Sequence, residues 1–218
     1  MTKQETTLLT GTKKPKVFYG YIVVVAGIIA SVFMIGTFTS FGIFFKPLSS
    51  DFGWTRATTS VAMSISSLVM GLAAIATGRL TDKYGPKVVL IGSGLLMGLG
   101  NLLMSRVTTV WQLYLFYGVL VGTGMSASEI PIVGTVARWF VKRRGMLTGV
   151  TKVGAGIGTM TLPLLSSWLI YSHGWRNAYI IIGILALVGI VSMALLFKRD
   201  PSQIGELPDG AIGVEATE

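Results

Sequence analysis

Six long apolar stretches, at 17–45, 57–78, 88–105, 111–136, 145–171 and 177–197, are separated by short polar breaks and constrain this chain more than any other feature. One bilayer crossing by a helix takes about 20 consecutive, mostly apolar residues, so each stretch is read as one membrane helix. Only 12% of the 218 residues are charged and 51% are hydrophobic, against roughly a quarter charged in a soluble domain. The surrounding solvent is therefore lipid. A net charge of +9 suggests nucleic acid at first sight. The Lys and Arg residues, however, lie in short clusters between apolar runs instead of covering one face, which argues for membrane topology and against a nucleic-acid partner. With no Cys and a single His, the sequence offers no disulfide framework, no metal site and no Cys nucleophile. It also lacks a nucleotide-binding glycine loop and a nucleophile with a partner base, so neither a cofactor nor an enzymatic activity is expected.

Residues 1–16 form a polar tail carrying Lys3, Lys13, Lys14 and Lys16 ahead of the first apolar run. That run is too long for a signal-peptide core of roughly 7–15 residues, and it is read as an uncleaved first span. Four basic residues in this tail, three in 79–87, four in 138–144 and two at Lys198 and Arg199 place thirteen of eighteen on one side. Lys46, Arg56, Arg106 and Arg176 lie opposite, and Lys152 falls inside the fifth span. The positive-inside bias, together with an even span count, predicts a multi-pass inner-membrane protein with both termini cytoplasmic. Trp54, Trp111 and Trp175 at the far ends and Trp139 at the near end match the positions of an aromatic belt. Small residues at Gly154 and Gly158, or at Ser67 and Gly71, suit close helix approach within a bundle. Beyond the last span, residues 198–218 have the Gly, Pro and acid content of a cytoplasmic linker.

The break between the second and third spans reads Gly78-Arg-Leu-Thr-Asp82-Lys83-Tyr-Gly85-Pro-Lys87. Gly85 permits a tight turn, Asp82 can cap a helix N-terminus or accept from a nearby Arg or Lys, and the cations hold the loop in the cytoplasm. This spacing, in this interval, resembles the signature loop of the major facilitator superfamily, with Pro86 where many members carry a further basic residue. A second segment is Ala137-Arg-Trp-Phe-Val-Lys142-Arg143-Arg144-Gly145, followed by the glycine-rich 149–158. It resembles the fourth-to-fifth helix region of the monocarboxylate and oxalate/formate porter branches. The start of the tail, 199–210, resembles the central loop of bacterial members. The Gly-Pro and Gly-Gly cluster of drug/proton antiporters is absent from the fifth span.

The resemblance covers one half of such a protein. It implies an all-α membrane fold, six transmembrane helices forming one half-bundle, with Gly78, Asp82, Lys83, Gly85 and Lys87 acting as a conformational-switch loop. It also implies a second six-helix half, on the same longer chain or a separate one. The implied activity is secondary transport of a small organic anion, as symporter or antiporter, by alternating access. A multi-span scaffold or truncated relic that transports nothing is the alternative.

Two charges lie within spans, Glu129 and Lys152, and charges in hydrocarbon cost roughly 2.5–3.5 kcal/mol each on insertion scales. Nine residues separate Glu129 from Arg138 and eight separate Arg144 from Lys152, so at 1.5 Å rise both lie about 12–14 Å from the same membrane face. The short loop between their spans makes those helices antiparallel neighbours, and the side chains can meet. The pair reads either as a staple between two helices or as a substrate site in which Lys152 attracts a carboxylate beside Glu129. Thr37, Ser64 and Ser126 are weaker cavity candidates, since such hydroxyls commonly bond their own backbone. His173 is expected in an outer turn, and Pro131 is expected to kink the fourth span.

Overall fold

The computed structural model describes residues 18–210, and among these every regular element is helical. The expected tail 1–16 and the end of the expected linker, 211–218, lie outside the described residues. Helix α1 is Tyr19–Phe52, α2 is Arg56–Tyr84 and α3 is Pro86–Met104. The fourth apolar run is assembled from α4 (Val110–Leu113), a π-helical stretch (Tyr114–Val121), α5 (Gly122–Met125) and α6 (Ile130–Trp139). Helix α7 is Arg144–Leu195, with two 3₁₀ turns after it at Pro201–Ile204 and Pro208–Gly210.

Five helical runs are thus long and apolar enough to cross a membrane, where the sequence suggests six spans. The difference lies in α7, whose 52 residues would extend about 78 Å as a straight helix, over twice the roughly 30 Å hydrocarbon thickness. It is not straight. Gly174 sits inside it at φ 78, ψ 159, a backbone conformation open essentially to glycine alone. Gly85, between α2 and α3, holds nearly the same conformation at φ 86, ψ 163. Pro86 follows at the first position of α3, where its missing N–H and fixed φ cost nothing.

The bundle packs α1 against the first part of α7. The buried residues there, Leu147, Thr151, Gly154, Gly158, Leu162 and Ser166, recur every three or four positions and form one stripe. Gly154 and Gly158 make the approach possible: a Cβ on either would run into the carbonyl oxygen of Ile28 or Val32 on α1. The Ser67 and Gly71 face does not behave this way. A Cβ at Gly71 would meet nothing within 4 Å, and Ser67 donates to Met63 O of its own helix at 3.0 Å. Helix α2 is the most exposed of the long runs, and among the described residues no helix closes on Gly71.

Two of the four belt tryptophans are interior instead. Trp139 is fully buried and donates to Lys198 O at 2.9 Å. Trp175 is 6% exposed and donates to Asp51 at 2.7 Å, tying the end of α1 to the second part of α7. An indole N–H taken into the interior requires an acceptor, and each has one. Trp111 is 80% exposed, as a belt residue would be.

Candidate functional site

The site begins at an interruption of the fourth run. Residues 126–129 are non-helical, α5 ends at Met125, and Pro131 is the second residue of α6. Proline cannot donate to the preceding turn, and the break falls just upstream of it, where the sequence suggests a kink. Interrupted helices leave carbonyls and amides without partners, which in lipid must be satisfied by protein. Ser93 of α3 donates to Gly124 O, Ser126 donates to Thr123 O at 2.7 Å, and Ser126 also pairs with Thr77 of α2 at 2.7 Å. Ser128 N reaches Met125 O at 3.0 Å. The break is thereby built into the bundle by hydroxyls of the two flanking helices.

Glu129 is the last residue of the break and the N-cap of α6, although its side chain caps no backbone amide. Its carboxylate instead pairs with the Lys152 ammonium on α7, so the two intramembrane charges meet as their matching depths suggest. Both remain accessible, with side chains 56% and 48% exposed respectively. A cavity of about 380 Å³, lined by Glu129 but not by Lys152, is bounded by Ile35 of α1, Met70, Gly71 and Ala74 of α2, and Ser128 and Glu129 of the break. A concave, largely apolar space with one charged edge is the form ligand sites commonly take.

The loop residues fall into a second cluster at the basic end. Gly78, Asp82 and Lys83 all belong to α2, Gly85 makes the turn, and Lys87 lies in the first turn of α3. Asp82 does not cap α3, whose N-cap is Gly85 with no side-chain bond. It faces Arg138 in the last turn of α6 at 3.4 Å. Arg138, counted in the sequence only as a topological charge, is thus the partner of the loop acid. Two further contacts at this end carry no sequence signal of their own: Asp209 accepts from Val141 N and Lys142 N at 3.0 and 2.8 Å, and the Tyr19 hydroxyl donates to Leu196 O at 3.0 Å. The described part of the expected linker is therefore strapped to the turn between α6 and α7.

The weaker candidates separate. Ser64 bonds Ser60 O at 3.2 Å within its helix. Thr37 is buried with no partner for its hydroxyl. Ser126 supports the break, and the exposed His173 pairs with Ser172 Oγ at 2.7 Å. Among the described residues no group of His, Asp and Glu is placed to hold a metal ion.

A bundle of long apolar helices, one of them broken, is the build of a multi-pass membrane protein. Residues 27–212 match the model of the Major Facilitator Superfamily, and the chain belongs to that family. It is similar to rat Monocarboxylate transporter 13, 31% identical over 85% of this chain and 43% of the relative. It is also similar to human Monocarboxylate transporter 1, 31% identical over 88% and 38%, and to the MFS-type transporter YhjX of Escherichia coli, 26% identical over 88% and 48%. The chain spans less than half the length of these relatives.

Proposed function

We propose that this chain is the first six-crossing half of a secondary transporter that moves a small organic anion, such as a monocarboxylate, by alternating access. The accessible Lys152–Glu129 pair at the helix break carries this reading. An ammonium held within a membrane span, half exposed and paired with the Glu129 that lines the cavity, is a standing attraction for a carboxylate, and Glu129 neutralises it while no cargo is bound. The names of relatives such as Monocarboxylate transporter 1 agree with that chemistry. Broken helices beside a midplane site are the usual construction of secondary transporters.

On this reading α7 crosses twice, turning at Gly174 as the chain turns at Gly85, so that two three-helix units follow one another. The basic end lies in the cytoplasm with both termini, in the inner membrane. The Gly78–Lys87 segment acts as the switch loop, held through Asp82 and Arg138. The exposed faces of α2 and of the first part of α7 are those on which a second six-helix half would close, whether on the same longer chain or a separate one. Uptake or exchange, with or without a coupled proton, completes the scheme.

Uptake of labelled short-chain carboxylates into vesicles holding this chain, with and without a second six-helix half, tests the proposal. Uptake that requires both halves supports it. Absence of uptake and binding in the joined protein would favour a non-transporting membrane scaffold.

A further inference from the structure

Away from the Lys152 site, a groove of about 200 Å³ opens between α2 and α3 at the basic end of the bundle. Leu80 and Tyr84 form one wall, Val88, Val89 and Leu96 the other, and the span-four break closes the floor. It exists because α3 has a glycine where a side chain would fill it: a Cβ at Gly92 meets nothing within 4 Å. Its rim is open, with Leu80 45%, Tyr84 55% and Val88 56% exposed. Of the hydroxyls in the floor, Thr77 is engaged with Ser126 and Ser93 with Gly124 O. Water in such a space would find few partners. Hydrocarbon suits it, and a helix about 10–12 Å across is too wide to enter.

Three cations adjoin the rim residues Leu80, Tyr84 and Val88 in sequence. Arg79, Lys83 and Lys87 are exposed, and among the described residues none has a carboxylate within 4.0 Å. The loop's one acid, Asp82, is turned to Arg138. The Lys83 ammonium lies 5.1 Å over the ring of Tyr84, directly at the groove edge. An apolar slot ending in uncompensated cations at a membrane surface has the complementary form of a phospholipid with net negative charge.

We propose that this groove holds one acyl chain of an anionic phospholipid whose phosphate lies on Lys83 and Lys87. The inference rests on the chain spanning a membrane, is independent of what, if anything, it transports, and requires that the second half proposed above close on α2 away from its Leu80 and Tyr84 edge. Occupancy would hold α2 against α3 next to the turn at Gly85.

The test uses the full chain in phosphatidylcholine nanodiscs doped with a phosphatidylglycerol analogue carrying a photoactivatable diazirine on its acyl chain. Crosslinks are mapped by peptide mass spectrometry. Labelling is expected to concentrate on 80–84 and 88–96 and to be suppressed by excess phosphatidylglycerol but not by phosphatidylcholine. Lys83→Gln with Lys87→Gln should lower it about tenfold or more, and Gly92→Leu, which puts a side chain into the slot from a position where a Cβ meets no neighbour, should abolish it. Should Gly92→Leu fail to fold, Val88→Trp blocks the rim from outside. Labelling spread evenly over other exposed faces such as Leu68 and Leu72 overturns the proposal, as does equal labelling by a phosphatidylcholine probe or labelling that survives both filling variants. Loss of groove labelling once a second half is joined would show that protein covers the slot and would equally overturn it.

Discussion

Gly85 and Gly174 adopt almost the same backbone conformation, φ 86, ψ 163 and φ 78, ψ 159, and each lies between two long helical segments. A Cβ at Gly174 would meet nothing within 4 Å, so any penalty for a side chain there is purely conformational. Gly174→Ala and Gly85→Ala are each expected to lower the stability of the bundle in detergent by about 1–3 kcal/mol, read from unfolding by chemical denaturant. An alanine tolerated without loss at both sites would mean that the turns are not held in this conformation.

Close packing of α1 on α7 makes a contrast between glycines of one helix. Gly154 and Gly158 face backbone carbonyls of α1, whereas Gly156 faces open space. Substituting Val at Gly154 or Gly158 should therefore destabilise the bundle by about 1–3 kcal/mol or more. Gly156→Ala should leave it unchanged or slightly firmer, because alanine favours helix. Equal melting behaviour for the Gly158 and Gly156 variants would remove the stripe as the basis of the α1–α7 contact.

Asp82 and Arg138, 3.4 Å apart and with side chains 75% and 37% exposed, form a surface pair worth at most about 1 kcal/mol to folding. Asp82→Asn is therefore expected to insert and melt like the parent. In a protein joined to the proposed second half it should slow exchange between the proposed inward- and outward-open forms, followed by accessibility of a reporter cysteine on either side. Transport at the parent rate would separate Asp82 from switching.

The topology proposal is checked with reporter fusions. With thirteen of eighteen basic residues flanking one side, a phosphatase active only outside the cytoplasm should stay inactive when fused after Glu218 and become active when fused after Arg106. Strong activity at Glu218 would reverse the assignment.

Much of this architecture is legible in the residues because lipid permits few solutions: long apolar runs become helices, and the depths of Glu129 and Lys152 follow from helix rise. What the sequence does not convey depends on partners far along the chain. Asp82 meets Arg138 across 56 positions, and Asp209 meets Val141 and Lys142 across 68 and 67, with no local pattern linking either pair. The break at 126–129 is announced by Pro131, but its persistence in apolar surroundings relies on Thr77 and Ser93 from other helices. The fate of Trp139 and Trp175 likewise depends on acceptors supplied by Lys198 and Asp51. The openness of the Lys152–Glu129 pair follows from which faces of α6 and α7 meet, a matter of bundle geometry that hydropathy does not encode.

That openness sets the decisive measurement, because a half-exposed Lys152 is available to cargo as well as to Glu129. Binding of a labelled short-chain monocarboxylate is measured on the joined protein for the parent, Lys152→Met, Glu129→Gln and the double variant, together with their melting temperatures. Loss of one charge-assisted bond costs roughly 1.5–3 kcal/mol, so Lys152→Met should weaken binding by about ten- to a hundredfold at nearly unchanged melting temperature. The double variant should stay weak, and Glu129→Gln alone should bind at least as tightly as the parent, since a competing carboxylate has been removed. Parent-like binding by Lys152→Met, accompanied by a lower melting temperature that Glu129→Gln restores, would contradict the account and leave the pair as a staple between α6 and α7.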